Sequence, residues 1–409
     1  MKLYHRETYL KKIRGFYNDT GLIKVISGVR RCGKSCLMQT IAEELKGSGV
    51  PDKNIIFINL DKRGFRAVRT AQQLENMIDA LCNAEGVKYL FIDEIQNVIG
   101  FETVINAFRE EEEYSIFITG SNSYLLSGEL ITKLTGRYIE FEMFPLTFDE
   151  YLGMKKFMGQ TVNDDVAVEF EKYIQEGGFP KTLEYPALED KINYVKSIIA
   201  EIFKKDIRKR VKIRNVDSFE RVEKYIINNF GATTSLSNIH RELHKNGNDI
   251  TRETLNRYIQ ILIDAKIISK CERFDLKSKR YVNGEQKYYL ADLSFYFSTN
   301  TDNRINYGPV LENITYIYAR SKGYEVSVGR IGRLECDFIV RAGRFKYAYL
   351  QVAMTINSSI ETENREYKPL EMIRDNYPKY VITRNDLIQQ RNGIIHVNIA
   401  PFMKGGQLF

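Results

Sequence analysis

Over the first third of the chain, short apolar runs alternate with longer stretches in which apolar residues recur every three or four positions. The runs are too short for helices and are rich in isoleucine, valine and phenylalanine, which favours buried strands. Strands that alternate with helices form a parallel sheet covered by helices on both faces, so we predict a three-layer α/β fold. The strand-like runs lie at 22–27, 54–60, 89–94, 115–120 and 138–144, and the helical stretches at 36–45, 71–84, 101–113 and 124–134.

Farther along the chain the pattern changes. Helical spacing dominates residues 148–175 and predicts a small helical lid, whereas three helical segments and two strand-like runs around a charged hairpin, within 217–292, are typical of a winged helix. A helix followed by three strands then indicates a second α/β region. We therefore predict a first α/β domain at 1–150, a lid and linker at 151–215, a winged-helix domain at 216–300 and a C-terminal α/β domain at 301–409.

Composition narrows the possible environments. The chain has 409 residues, a formal net charge of +7 and five cysteines without a C-x-x-C pair. An odd number of scattered cysteines favours a reducing cytoplasm over a secretory route. No apolar run approaches the roughly 18 residues of a membrane span, so we expect no membrane association. The mildly basic charge permits nucleic-acid binding without establishing it.

The first candidate site follows the first strand. The sequence from Gly28 to Ser35, GVRRCGKS, fits G-x-x-x-x-G-K-[ST] between a strand and a helix. This is the P-loop, whose backbone N–H groups and helix N-terminus surround nucleotide phosphates. Lys34 is expected to contact the β- and γ-phosphates of ATP, and Ser35 to contact Mg²⁺. The predicted nucleotide-binding residues are Gly28, Arg30, Arg31, Cys32, Gly33, Lys34, Ser35 and Cys36.

A second candidate site lies where later strands end. The run YLFIDE ends in Asp93 and Glu94, the Walker B form. We predict that Asp93 supports Mg²⁺ and that Glu94 is the general base for the attacking water. Past the next strand, Ser121 and Asn122 are the candidates for contacting the γ-phosphate or that water, and we assign the role to Asn122.

These motifs together resemble a known family. The segments GVRRCGKS, FIDEIQ, ITGSNSYLLSGE and LTGRYIEFEMFPLTFDEY are similar to those of a family of predicted prokaryotic AAA+ ATPases, which carry a C-terminal domain of uncharacterised function. The resemblance covers nearly the whole chain and is most specific over residues 20–152. It implies an α/β nucleotide-binding fold, ATP with Mg²⁺, and contacts in a ring or dimer through Arg137, acting as an arginine finger. On spacing alone, an ordinary surface arginine is an equal alternative.

The third helix of the predicted winged helix carries the candidate DNA contacts. One face is apolar, and the other carries polar side chains suited to base edges in a major groove. Basic residues in the following hairpin are suited to backbone phosphate. The candidates are Arg252, Asn256, Arg257 and Gln260 on the helix and Lys277, Lys279 and Arg280 in the hairpin. Winged helices also bind proteins, and that alternative stays open.

The C-terminal domain resembles the restriction-endonuclease core, which pairs a helical Glu with a strand Asp and then E-x-K. Glu312 and Asp337 match, but the third position is Gln351-Val352-Ala353. Because the lysine of that motif is absent, we expect a catalytically degraded domain.

Three functions therefore stand as hypotheses: a nucleic-acid-associated switch or motor ATPase, a regulatory ATPase that binds protein, and an ATP-gated nuclease. His240 and His244 lie one helical turn apart, but no third ligand is visible, so we interpret them as ordinary helix residues.

Overall fold

The structure is a computed structural model. It describes residues 2–82, 84–120, 134, 136–208, 213, 215–247, 249–300, 304–343 and 346–409. The chain divides into two compact units, Met1–Phe144 and Pro145–Phe409.

The first unit is built on a five-stranded sheet in the order β2-β3-β4-β1-β5. Every neighbouring pair is parallel, as the alternation of strands and helices predicted. Because parallel neighbours all end at the same edge, the carboxyl ends of β1, β3 and β4 lie side by side. The strands are β1 (Ile23–Gly28), β2 (Ile55–Asn59), β3 (Lys88–Asp93), β4 (Tyr114–Thr119) and β5 (Tyr138–Met143).

Burial explains why the central strands read as continuous apolar runs. All six residues of β1, of β3 and of β4 are buried, because helices cover the sheet on both faces. One side of this core is formed by side chains such as Val25, Leu90 and Ile118 together with Leu74 and Ile105 from the helices. The described helices of this unit are α1 (Glu7–Ile13), α2 (Lys34–Gly47), α3 (Ala71–Leu81) and α4 (Phe101–Glu110).

The second unit begins with helices. Thr147 and Glu150 form a capping box at the start of the first of them, and Asp165 caps the next. Their existence was predicted from the spacing, whereas their action as a lid stays a prediction. The helices of this part are α5 (Phe148–Phe157), α6 (Val166–Glu176) and α7 (Leu188–Glu201), and α7 continues into a π-helical turn, Ile202–Ile207.

Three helices follow at the positions predicted for a winged helix. Ser235 and Thr251 accept hydrogen bonds from backbone N–H groups and cap the second and third of them, as predicted. In the third, Leu255, Tyr258 and Leu262 are buried and form the apolar stripe expected there. These helices are α8 (Val216–Asn228), α9 (Leu236–Lys245) and α10 (Arg252–Asp264).

The hairpin after these helices joins a larger sheet. Its strands, β6 and β7, occupy one end of an eight-stranded sheet in the order β12-β13-β11-β10-β9-β8-β6-β7. Residues Arg273–Asp275 of β6 run parallel to Val328–Arg330 of β8. The domain boundary at residue 300 stays a prediction, but backbone hydrogen bonds cross it, so the hairpin is continuous with the C-terminal sheet.

The remaining elements complete the C-terminal region, and they include the helix and the three strands predicted beyond residue 300. The strands are β6 (Ile268–Asp275), β7 (Arg280–Leu290), β8 (Glu325–Ile331), β9 (Leu334–Ala342), β10 (Lys346–Val352), β11 (Lys379–Thr383), β12 (Gln390–Arg391) and β13 (Ile394–Asn398). The helices are α11 (Ser294–Thr299), α12 (Tyr307–Ser321), α13 (Ile360–Glu371) and α14 (Ile399–Lys404). In the part of the chain that the structure describes, no helix combines the length and the apolar character required to cross a membrane.

Candidate nucleotide-binding site

The loop between β1 and α2 has a backbone that requires glycine at its first position. Gly28 has φ +143°, and a Cβ atom built on it would lie 2.1 Å from the carbonyl oxygen of Met143. Met143 is the register partner of Gly28 in β5, so the close approach comes from the sheet itself. Arg31 and Gly33 also have positive φ, at +69° and +109°. These turns bring the chain round to the N-terminus of α2, where backbone N–H groups bind anions.

Two cationic side chains hold this loop. The Lys34 ammonium donates hydrogen bonds to the carbonyl oxygens of Gly28, at 2.8 Å, and of Val29, at 3.2 Å. From outside the loop, the buried Arg6 guanidinium donates to the carbonyl oxygens of Cys32, at 3.1 Å, and of Phe144, at 2.8 Å. The loop is therefore fixed from its interior by Lys34 and from the N-terminal segment by Arg6.

Asp93, at the end of β3, is the most connected carboxylate near the loop. It is 2% exposed. The Thr119 hydroxyl donates to one oxygen, and the Asn59 amide donates to the other at 2.7 Å. The Ser35 hydroxyl also hydrogen-bonds to this carboxylate. Burial raises the pKa of Asp93, and the hydrogen bonds from Thr119 and Ser35 partly offset that rise.

Glu94 follows directly in a left-handed conformation, with φ +60°. Its backbone N–H donates to the Thr119 hydroxyl oxygen at 3.2 Å, and the Gln96 amide donates to its carboxylate. A non-glycine residue at positive φ persists only where its surroundings hold it. Thr119 therefore orients both acids, since it donates to Asp93 and accepts from Glu94.

Asn59, Thr119 and Arg6 contribute to this site although the sequence analysis did not select them. Asn59 is the register partner of Asp93, and Thr119 ends the strand that lies between β3 and β1. The available signal was a polar residue at the end of each neighbouring strand. Arg6 offered no such signal, because its partners are carbonyl oxygens distant in sequence.

Comparison with known proteins decides the family. Residues 20–152 match the family described as an AAA domain, and residues 167–303 match a domain of unknown function, DUF8612. An uncharacterized protein of Haemophilus influenzae is 34% identical over 383 residues, which cover 92% of each chain. The chain belongs to this family of P-loop AAA+ proteins. Another uncharacterized protein, from Methanocaldococcus jannaschii, is 31% identical over 408 residues, covering 93% of this chain and 87% of its own.

One solved structure supports the AAA+ fold. A Walker-type ATPase of Pyrococcus abyssi is similar over 73% of this chain and 96% of its own, with a TM-score of 0.52 and 16% sequence identity. At this identity the likeness concerns the fold alone. It agrees with the α/β architecture and the parallel central sheet of the first unit, both of which were predicted from the sequence.

The other residues predicted for the AAA+ site have varied surroundings. Cys32 is buried, and burial raises the pKa of its thiol. Desolvation and the Asp93 charge raise the pKa of the Cys36 thiol, which places Cys36 near the acid. Arg30 is half-buried and Arg31 is exposed. Ser121 and Asn122 lie outside the described residues.

Arg137, the predicted arginine finger of the AAA+ domain, precedes β5. Its side chain is 44% exposed, and its guanidinium donates to the Asn106 side-chain oxygen at 3.1 Å, while Glu110 lies 4.0 Å away. These contacts are within one chain, and the role of Arg137 towards a neighbouring subunit stays a prediction.

The candidate DNA contacts are at the surface of the second unit. Arg252, Asn256, Arg257 and Gln260 are all exposed on α10, opposite its buried stripe. Lys277 and Lys279 are exposed in the turn between β6 and β7, and Arg280 is exposed as the first residue of β7. The side chains thus have the accessibility that the prediction requires, and DNA binding itself stays a prediction.

The predicted C-terminal acids come close together around a lysine that the sequence analysis did not select. The Lys287 ammonium lies 2.9 Å from Glu312 and 3.8 Å from Asp337. Burial by itself lowers the pKa of Lys287, but the charges of Glu312, Asp337 and Glu335 outweigh it and raise that pKa above its usual range.

Among the described residues of the winged-helix region, no histidine lies with two acids or cysteines close enough to share a metal ion. Within the described residues, the one cluster of three His, Cys, Asp or Glu side chains close enough for a metal is His5, Glu7 and Glu44. Arg14 donates to both of these carboxylates, so the cluster is an ion-pair network.

Proposed function

We propose that this AAA+ protein binds ATP with Mg²⁺ at the loop 28–35, hydrolyses it, and uses the cycle as a nucleic-acid-associated switch or motor. The observation that carries the proposal is the convergence at one edge of the sheet. The Ser35 hydroxyl and the Thr119 hydroxyl both bond to Asp93, and Thr119 also accepts from the backbone of Glu94. A phosphate-binding loop and an acid pair thus share one hydrogen-bond network.

The residues present fit a magnesium–nucleotide complex. Mg²⁺ prefers carboxylate and hydroxyl oxygen ligands, and Asp93 and Ser35 offer both beside the helix N-terminus that binds phosphate. When bound, Mg²⁺ neutralises charge on the phosphate oxygens. Lys34 exchanges its bonds to the carbonyls of Gly28 and Val29 for bonds to the β- and γ-phosphates.

Glu94 acts as the general base. It accepts the proton of the water that attacks the γ-phosphorus, and the bond from Gln96 together with the backbone bond to Thr119 limits its orientations. Asn122 contacts the γ-phosphate, and Arg137 supplies positive charge to the site of a neighbouring subunit. The last two assignments depend on sequence position and on the family resemblance.

The second unit supplies the nucleic-acid contact in this proposal. The exposed polar side chains of α10, Arg252, Asn256, Arg257 and Gln260, face base edges, and the basic turn binds backbone phosphate. We propose that ATP hydrolysis is coupled to DNA binding because these elements follow the ATPase domain in the sequence.

The test is ATP turnover by the wild type, Lys34→Ala and Glu94→Gln, each with and without duplex DNA. We expect Lys34→Ala to lose ATP binding, whereas Glu94→Gln binds ATP and turns it over about 10²-fold more slowly, because a positioned base contributes about that much. A wild type that ignores ATP would refute the ATPase. If DNA did not change the rate of ATP turnover, the nucleic-acid part of the proposal would be refuted and the regulatory alternative favoured. That alternative predicts that a pull-down still retains a protein partner after nuclease treatment.

A further inference from the structure

The loop between β2 and α3 of the first unit carries an unbalanced positive charge. Its residues 62–69, KRGFRAVR, include four cations and no acid, and we call this segment the basic loop. All four cations are exposed, and within the described residues none of them forms an ion pair. Like charges this close repel one another, and a bound polyanion removes that repulsion. The four cations are Lys62, Arg63, Arg66 and Arg69.

Backbone hydrogen bonds and apolar side chains hold the basic loop in shape. The Lys62 N–H donates to the Asn59 carbonyl oxygen at 3.0 Å, and the Lys62 carbonyl oxygen accepts from the N–H groups of Phe65 and Arg66. Val68 is buried, and Phe65 packs against the core of the first unit. The cations are therefore attached to a backbone that is already ordered, which lowers the entropic cost of binding a ligand.

Two neighbouring features also suit a nucleic acid. Thr70 caps α3, so the basic loop leads directly into the positive end of an 11-residue helix. Beside the loop, the Ile99 side chain is 76% exposed, and its backbone N–H donates to the Arg69 carbonyl oxygen at 2.9 Å. An apolar side chain next to cations can contact the sugar or base that accompanies a phosphate.

The basic loop begins beside the candidate nucleotide-binding site. The Asn59 side-chain oxygen accepts from the backbone N–H of Asp61 at 3.0 Å, and the amide nitrogen of the same side chain donates to Asp93 at 2.7 Å. The start of the loop is thus joined to the Walker B acid through one side chain.

We propose that Lys62, Arg63 and Arg66 bind backbone phosphates of a duplex nucleic acid, as a contact additional to those proposed on the second unit. The guanidinium group of arginine binds phosphate oxygens through two N–H groups at once. A duplex presents one phosphate charge per about 1.7 Å of its length. An acidic peptide, which is the alternative partner, spaces its side chains about 3.3–3.6 Å apart. Four cations within 62–69 therefore favour the duplex.

The inference rests on the nucleic-acid part of the proposed function and not on ATP hydrolysis. The test is therefore made without nucleotide, on the full chain in a Lys34→Ala background. Fluorescence anisotropy at several salt concentrations measures binding of a short labelled duplex, with DNA and RNA in separate titrations because both carry the same backbone charge.

We expect the triple variant Lys62→Gln, Arg63→Gln, Arg66→Gln to bind at least about tenfold more weakly than the parent. The slope of log affinity against log salt concentration should fall by about 3, because each phosphate contact contributes about 0.9 to it. The melting temperature without nucleic acid should not fall, since the three side chains are exposed and repel one another. A triple variant that binds like the parent would overturn the proposal, as would a parent that binds neither duplex.

Lys53→Gln is the matched control for Lys62→Gln. Lys53 is exposed and precedes the amino end of β2, whereas Lys62 follows the carboxyl end of the same strand. The two single variants therefore lose the same charge at opposite edges of the sheet. Lys62→Gln should lower the salt slope by about 1, and Lys53→Gln should leave it unchanged. An equal loss in both would reflect net charge alone and would overturn the proposal.

The double variant Arg257→Ala, Lys279→Ala separates this inference from the proposed function. Loss of binding in this variant, with an unaffected triple variant, overturns the inference and leaves the proposed contacts of the second unit intact. Loss only in the triple variant supports the inference and counts against those contacts. Labelled poly-glutamate that binds the parent as tightly as the duplex does, and is lost in the triple variant, would assign the basic loop to an acidic peptide and overturn the proposal.

Discussion

Replacing Gly28 by alanine tests whether the sheet dictates the shape of the loop that we propose binds phosphate. The new Cβ would lie 2.1 Å from the Met143 carbonyl oxygen and 3.0 Å from the Cys32 sulfur, at a φ of +143°. Positive φ costs an alanine about 1–2 kcal/mol. Overpacking against backbone adds about 1–3 kcal/mol, because Met143 is held in register by β1 and cannot withdraw freely.

Gly49 provides the matched control for this substitution. It also has positive φ, at +95°, but a Cβ there would meet no atom within 4 Å. Gly49→Ala therefore isolates the conformational cost, and Gly28→Ala should be destabilised by about 1–3 kcal/mol beyond it. We expect only Gly28→Ala to lose affinity for ATP, because only it displaces the loop.

The assay combines urea unfolding, followed by circular dichroism, with binding of a fluorescent ATP analogue. Equal destabilisation in the two variants would refute the steric argument. Gly28→Ala with the ATP affinity of the wild type would refute the link between the register of β1 with β5 and the geometry of the loop.

Three further predictions concern other parts of the chain. Burial raises the pKa of Glu223 from 4.5 to about 7, so between these pH values the folded protein retains a proton that the unfolded chain releases. The free energy of unfolding should therefore fall by up to about 3 kcal/mol as the pH rises from 4.5 to 7. In unfolding measurements from about pH 4 to 8, Glu223→Gln should make this decline smaller. DNA binding can be measured by fluorescence anisotropy at several salt concentrations. Arg257→Ala should lose about 1–3 kcal/mol of binding free energy at preferred DNA sites. Lys279→Ala should weaken binding to all DNA sequences alike and reduce the slope of log affinity against log salt concentration by about 1. Arg137→Ala should have little ATPase activity alone but regain some when mixed with inactive Lys34→Ala, because each chain supplies the residue that the other lacks; no recovery in a mixture that forms hetero-oligomers would contradict a role in trans.

The positions of the candidate-site residues that one local motif defines could be predicted from the sequence. Lys34 and Ser35 follow from the spacing of the loop, and Asp93 follows from a buried strand that ends in acids. Asn59 and Thr119 act through adjacency in the sheet, where β4 lies between β3 and β1 although it follows both in the chain. The spacing of residues along the sequence does not reveal this strand order. The contacts of Asn59 and Thr119 with Asp93 could therefore be found only in the structure.

The same reason explains what was missed in the second unit. The hairpin of β6 and β7 was predicted from its turn and from its strand-like runs, but its pairing with β8 joins segments that are distant in sequence. That pairing makes the hairpin part of the C-terminal sheet and brings Lys287 to Glu312 and Asp337. A comparison limited to E-x-K on one strand therefore finds no lysine, although an ammonium is present among the acids.

Thr119 connects the two proposed functions of the acid pair. Its hydroxyl donates to the carboxylate of Asp93 and accepts from the backbone of Glu94, which is held at φ +60°. Strain of about 1–3 kcal/mol at such a position is retained only while the surrounding contacts last. If Asp93 bound a metal ion, the hydrogen bond that it accepts from Thr119 would change. Because the same Thr119 hydroxyl oxygen accepts from the backbone of Glu94, that change would also affect Glu94. Under the proposed function, the geometry of Glu94 would therefore depend on whether Asp93 holds its ligand, and this would tie activation of water to binding of the nucleotide.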